Sequence, residues 1–309
     1  MLPFFSVIQD SFRIWSRNTA LIYVYLLTVT LLTWLLPRSV FQVAAPTEQK
    51  LLLAVVLTLL LAALLSGWFT MIAQACENFY QAEPASKKSI TDERSFKLFT
   101  VFLPGISKNF LSIAVGLSIQ FLVAFLLYYP VTQRWIEISP LIDRVAATKL
   151  NDVQQVLTLF NDAEKNVIQS FSWQWIVSSF QFLAISILVM FWAPYTILHK
   201  KMSLVAFGLS AKQYFKYPVS CIFLVFGFFT AGVLFYLLSL LGTLFLMNQP
   251  VGLAFVFVLL QVFAMLTLVF CVITLFVFVS RFPVQKNAVA IQTNSEESSN
   301  AENATDSDA

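Results

Sequence analysis

The chain has 309 residues, of which 59% are hydrophobic and 11% charged, and its net charge is +3. Soluble domains carry about 25% charged residues, so this composition excludes a water-exposed globular surface, and its 32 phenylalanines would drive aggregation in water. The small, uneven positive balance also excludes a nucleic-acid footprint, which requires a basic patch on a soluble module.

In chain order, residues 1–18 read as a cytoplasmic amphipathic arm carrying Arg13 and Arg17. Six apolar stretches follow, at residues 19–36, 51–76, 109–129, 173–198, 219–247 and 251–280, all without Asp, Glu, Lys, Arg or His. A bilayer core about 30 Å thick needs roughly 20 apolar residues in helix. The fold class is therefore all-α: a polytopic membrane bundle of about six transmembrane helices, with interfacial amphipathic helices added. The first stretch follows a basic start, and Val43-Ala44-Ala45 resembles a small-residue cleavage site. Its apolar run exceeds the usual signal-peptide length of about 7–15, and Pro46 stands directly after the site, so it reads as an uncleaved helix. The last two stretches form a hairpin interrupted by Asn248-Gln249-Pro250.

Residues 130–172 read as an outer loop. Val153, Val156, Leu157, Phe160, Val167 and Ile168 recur there at helical spacing, and Asn151 with Gln154 resembles a capping box. This pattern predicts one or two amphipathic helices on the outer surface. Residues 282–309 form a cytoplasmic tail, acidic and poor in apolar residues beyond Lys286, and read as disordered.

Orientation follows from Lys and Arg, which gather in cytoplasmic loops. Thirteen fall on one side: Arg13, Arg17, Lys87, Lys88, Arg94, Lys97, Lys108, Lys200, Lys201, Lys212, Lys216, Arg281 and Lys286. Six fall on the other: Arg38, Lys50, Arg134, Arg144, Lys149 and Lys165. Both termini are therefore expected in the cytoplasm. Three segments on that side, Ser11 to Trp15, Ser95 to Phe99 and Ser210 to Tyr214, share the pattern Ser-x-basic-x-aromatic. They read either as three copies of one unit, an interfacial helix followed by a hairpin, or as the ordinary gathering of such residues at interfaces.

No motif for catalysis emerges. His199 is the single histidine, at the end of the fourth stretch and followed by two lysines, and reads as an interfacial polar residue. Cys76, Cys221 and Cys271 lie in or beside apolar stretches without metal-ligand spacing and read as small buried residues. No phosphate loop, HExxH or GxSxG pattern occurs. The chain is therefore expected to be non-enzymatic, with no cofactor and no metal. Ion-coupled transport usually places an ionisable group at membrane depth. Here only Gln74, Gln120, Gln181 and Gln261 stand there, with scattered Ser and Thr. A carrier of a lipid or neutral molecule stays open as the alternative function, because broken helices bind with backbone groups. Pro194 is the one proline well inside an apolar stretch. Ser112 with Gly116, and Gly227 with Ala231, have the spacing of close helix contacts, within the chain or between copies.

The richest surface signal runs from Met202 to Tyr217. Met202, Val205, Ala206 and Leu209 share a helical face, and Lys212 and Lys216 follow among Tyr214, Phe215 and Tyr217. Such a helix rests in the headgroup layer. Lys200, Lys201, Lys212 and Lys216 are accordingly the candidate contacts to anionic lipid. The expected partners are membrane lipids, anionic ones among them, and a membrane protein or a second copy of the chain.

Ala193-Pro194, Lys201-Met202, Ala206 and Ser210 resemble the pattern at the same place in the bacterial YciC-like inner-membrane proteins. Ser6-Val7 with Asp10, and Leu103-Pro104-Gly105-Ile106, are similar too. The family comprises six-pass proteins without an assigned activity, related to the membrane domain of some glycerophosphodiester phosphodiesterases. The resemblance implies a bacterial inner-membrane protein with a scaffold or envelope-organising role, and it supplies no catalytic residue. The long outer loop and the acidic tail depart from the family pattern.

Overall fold

The computed structural model describes residues 3–36, 47–81, 98–147, 160–246 and 250–284. Over these residues the chain is helical. The principal helices are α1 (Pro3–Arg17), α2 (Thr19–Leu36), α3 (Thr47–Gln81), α4 (Phe102–Ala147), α5 (Asp162–Val189), α6 (Trp192–Leu198), α7 (Ser203–Lys216), α8 (Pro218–Leu246) and α9 (Pro250–Arg281). Among the described residues, four stretches are long and apolar enough to cross a membrane: Val55–Tyr80, Phe102–Arg144, Asp162–Leu198 and Val258–Arg281. A fifth is reached if α7 and the described part of α8, bent by 106°, are taken as one span. α2 adds a further apolar helix of 18 residues without a charged side chain.

The bend between α7 and α8 follows from sequence. Pro218 has no N–H to continue α7, and it keeps Tyr217 out of helical geometry, at φ −132° and ψ 57°. Proline at the first position of α8 has the backbone angle that a new helix needs.

The core is built mainly from α3, α6 and α9. Trp68, Met71 and Ile72 of α3, Phe276 and Phe278 of α9, and Phe191 and Tyr195 are all buried in one hydrophobic cluster. Phe69 lies against Phe276 with ring centroids 5.7 Å apart, and Phe191 stacks on Phe278 at 5.3 Å. Three glycines permit close approach. A Cβ on Gly67 would lie 2.6 Å from the Phe102 ring, one on Gly105 2.6 Å from the Thr70 side chain, and one on Gly116 hard against the edge of the Trp192 ring. Gly116 therefore serves a contact within the chain, as does Ser112, whose carbonyl accepts from Ser203 Oγ. A Cβ on Gly227 would meet nothing within 4 Å.

Of the segment read as an outer loop, residues 130–147 continue the helix α4 and residues 162–172 open α5, while residues 148–159 lie outside the described residues. At 1.5 Å per residue, the 46 residues of α4 extend about 69 Å, more than twice the bilayer core. Beyond Tyr128 this helix pairs with the start of α5. Tyr128 donates to Ser179 Oγ at 3.0 Å, Arg134 to Ser170 Oγ at 2.5 Å, and Arg144 bridges Glu164 at 2.9 Å. The capping box stands at the head of α5. Asn161 Oδ1 accepts from the Glu164 amide at 2.8 Å, and the Glu164 carboxylate accepts from the Asn161 amide at 3.0 Å. The expected box at Asn151 and Gln154, residues Val153 to Leu157, the second copy's Ser95 to Lys97, and the tail beyond Val284 lie outside the described residues.

Candidate lipid-contact surface

The site begins with a break in the fourth apolar stretch. Pro194 cannot donate to the Met190 carbonyl, and its ring would collide with that carbonyl in a continuous helix. The helix stops at Val189, where the Met190 amide turns back to the Ile187 carbonyl at 3.2 Å, and restarts at Trp192; the Phe191 amide and the Leu188 carbonyl are left to partners outside the helix. Side chains of α7 satisfy them. Ser210 Oγ accepts from the Phe191 amide at 3.0 Å and donates to the Leu188 carbonyl at 2.8 Å. Tyr214 donates to the Ile187 carbonyl at 2.5 Å.

One turn further on, the same helix face holds the end of α9. Tyr195 donates to Gln213 Oε1 at 2.5 Å, and Gln213 Nε2 donates to the Phe282 carbonyl at 2.9 Å. The Val284 amide donates to the Tyr195 hydroxyl at 3.3 Å. Lys216 Nζ donates to the carbonyls of Pro283 and Val284 at 3.1 and 3.0 Å. On the neighbouring arm, Asp10 of α1 accepts from Arg281 at 2.8 Å and from Tyr80 at 3.4 Å. The end of α9 is thus gripped by α1 and α7 together. These contacts place α1, α7 and the C-terminal ends of α3, α6 and α9 at one end of the bundle, and the Arg144–Glu164 pair at the other.

α7 turns its polar and small residues inward. Ser203, Ala206, Leu209, Ser210 and Gln213 are buried. Outward stand Met202 (74% exposed), Leu204, Val205 and Phe215 (86%), with Lys212 among them. The apolar face expected from Met202, Val205, Ala206 and Leu209 is therefore divided, with Ala206 and Leu209 packed inside. A water-soluble helix would place these faces the other way round; lipid is the solvent that accepts an apolar outer face beside a hydrogen-bonded inner one.

The four lysines divide as well. Lys212 is exposed, Lys200 is exposed and Lys201 half-buried in the turn before α7, whereas Lys216 spends its amine on the end of α9. Lys200 holds φ 49°, in the left-handed region that a non-glycine residue enters at a cost of about 1–3 kcal/mol. That turn links α6 to α7. His199, at the cap of α6, stacks on Tyr195 with ring centroids 5.4 Å apart, and its Nε2 is buried without a partner among the described residues. Burial, then the neighbouring Lys201 charge, hold its pKa below the usual histidine value, so the ring is neutral at neutral pH.

Sequence reasoning located the lysines and Pro194 but missed Ser203, Ser210, Gln213 and Tyr195 as the bracing set. The available signal was Ser210 itself, the first residue of the repeated pattern. The first and third copies share more than residue type: Val7 and Ala206, Ser11 and Ser210, and Ile14 and Gln213 are buried pairwise at equal spacing. Comparison with protein-family models, curated proteins and solved structures gives no match to this chain.

Proposed function

We propose that the chain is a six-pass protein of the bacterial inner membrane, non-enzymatic, with both termini in the cytoplasm, and that it acts as a membrane scaffold or in envelope organisation. In this reading α7 lies in the cytoplasmic headgroup layer. Lys200, Lys201 and Lys212 meet anionic lipid, while Lys216 fixes the helix to the body. The 106° angle between α7 and α8 carries the proposal. If α8 crosses the bilayer, α7 runs near the membrane plane, with Phe215 and Leu204 in the acyl boundary and the lysines at headgroup level. Each lysine beside an anionic leaflet contributes on the order of 1 kcal/mol. The aromatic core between α3, α6 and α9 supports a packed scaffold over carriage of a lipid or neutral molecule. Two cavities lie between α4 and α5: one of about 90 Å³ lined by Ile119, Val123 and Phe182 with Gln120 and Ser186, and one of about 390 Å³ beside Gln174, Ser178 and Gln181.

The test uses the whole protein, reconstituted in nanodiscs of mixed neutral and acidic lipid and released for native mass spectrometry. Wild type should retain acidic lipid above its share of the mixture. The triple variant Lys200→Asn, Lys201→Gln, Lys212→Gln should lose that enrichment while staying folded; Asn suits the left-handed position. Equal retention by both proteins contradicts the proposal.

A further inference from the structure

We infer that the lysine face of α7 has a second occupant, the acidic segment Glu296–Asp308 of the same chain, which competes with anionic headgroups for Lys200, Lys201 and Lys212. The inference rests on the lipid reading above and adds its regulation.

Three observations carry it. First, no Asp or Glu lies between Glu164 and Glu296, and the next acids after Glu164 are Glu296, Glu297, Glu302, Asp306 and Asp308. Beyond Lys286 no basic residue interrupts them. Along the sequence, residues 165–286 thus hold cations without acids and residues 287–309 acids without cations, and Asp10, which shares this end of the bundle, is taken by Arg281. Second, Lys200, Lys201 and Lys212 have no ion-pair partner among the described residues. Of the other cations at this end, Arg281 is already paired with Asp10. Third, the chain leaves α9 against α7 itself. Gln213 and Lys216 hold the carbonyls of Phe282, Pro283 and Val284, which starts the tail at the C-terminal end of the lysine-bearing helix. Lys212 stands one turn from Lys216. The far end of α7 is about 21 Å away, at 1.5 Å per residue over its 14 residues. The 12 residues from Val284 to Glu296 span up to about 40 Å when extended. The first acidic pair therefore reaches the whole length of the helix.

A tether of this length gives an effective concentration in the millimolar range. A millimolar intrinsic attraction then covers about half of the lysine faces, and the apparent headgroup affinity falls about two-fold. Salt weakens both interactions, because exposed charges are screened over about 8 Å at physiological ionic strength.

The experiment uses the full chain in neutral-lipid nanodiscs, treated with a carbodiimide that joins a carboxylate to an amine in contact, with loss of water. Bonds are mapped by mass spectrometry, with the exposed Asp162–Lys165 pair, 3.2 Å apart, as the internal positive control. Expected are bonds from Glu296, Glu297 or Glu302 to Lys200, Lys201 or Lys212, abundant at low salt and lost at high salt. A mixture of isotope-labelled and unlabelled protein should show them within single chains. Coupling of Asp162 to Lys165 with no tail bond to α7, or bonds only between copies, overturns the inference. In parallel, deletion of everything after Ala290 should raise retention of acidic lipid about two-fold. Tail bonds without that rise refute the competition. If neither full-length nor truncated protein retains acidic lipid, the headgroup reading fails, and tail docking is still decided by the bonds.

Discussion

Replacing Ser210 by Ala tests whether α7 braces the broken helix. The hydroxyl is buried and serves two backbone groups at once, the Phe191 amide at 3.0 Å and the Leu188 carbonyl at 2.8 Å. Pro194 removes the local alternative, and burial withholds water. Two bonds at the average for membrane proteins, about 0.6 kcal/mol each, set a lower bound near 1 kcal/mol. Two buried groups left unsatisfied, at up to about 3 kcal/mol each, set an upper bound near 6. We expect a loss of about 2 kcal/mol. Tyr214→Phe removes one bond, to Ile187, and should cost about half as much. Ser16→Ala, which loses only an exposed 3.3 Å bond to Arg13, is the control and should change nothing measurable. Reversible unfolding in bicelles, or thermal unfolding in mild detergent, reads all three. Equal stability of Ser210→Ala and Ser16→Ala would refute the bracing role, and with it the reason for α7 to lie against the break.

Four further outcomes are expected. Gly116→Ala should destabilise by about 1–3 kcal/mol by driving a methyl against the edge of the Trp192 ring, whereas Gly227→Ala, in open space, should stabilise α8 by about 0.5–1 kcal/mol; the same unfolding assay separates them. Arg281→Gln should cost about 1 kcal/mol or less, because the arginine side chain is 38% exposed, and the loss should shrink with added salt. His199 has a folded pKa below its unfolded value, so the unfolded chain takes up its proton first. Stability should therefore fall as pH drops below about 6.5 and level off below the folded pKa, and His199→Gln should flatten that part of the profile. A cysteine placed at Ser298 should resist impermeant thiol reagents in intact cells while one at Asn151 reacts; the reverse pattern sinks the orientation.

The helical class was legible because uncharged apolar runs of this length have no other stable form in lipid. The joint between α5 and α6 was legible only as Pro194, since which side chains repair a broken helix depends on what packs against it. Ser210 and Gln213 are ordinary helix-surface residues until α6 and α9 lie beside them. The outward apolar face of α7 was half-legible. Met202 and Val205 point as their spacing suggests, but Ala206 and Leu209 lie on the buried face with Ser203, Ser210 and Gln213. In the outer segment, two capping signals lie ten residues apart. The acidic residue three positions beyond Asn161 marks the stronger one, because Glu164 also favours the positive end of the helix dipole.

Whether α7 lies in the plane of the headgroups is read from spin-label depth. Labels placed singly at Leu204, Gly208, Lys212 and Phe215 of the full chain in acidic nanodiscs can be ranked by their accessibility to oxygen against a polar nickel reagent. An in-plane helix predicts one common depth, near the headgroup boundary, for all four. A steady change of about 1.5 Å per residue from Leu204 to Phe215 would show that α7 enters the bilayer with α8, and would contradict the account.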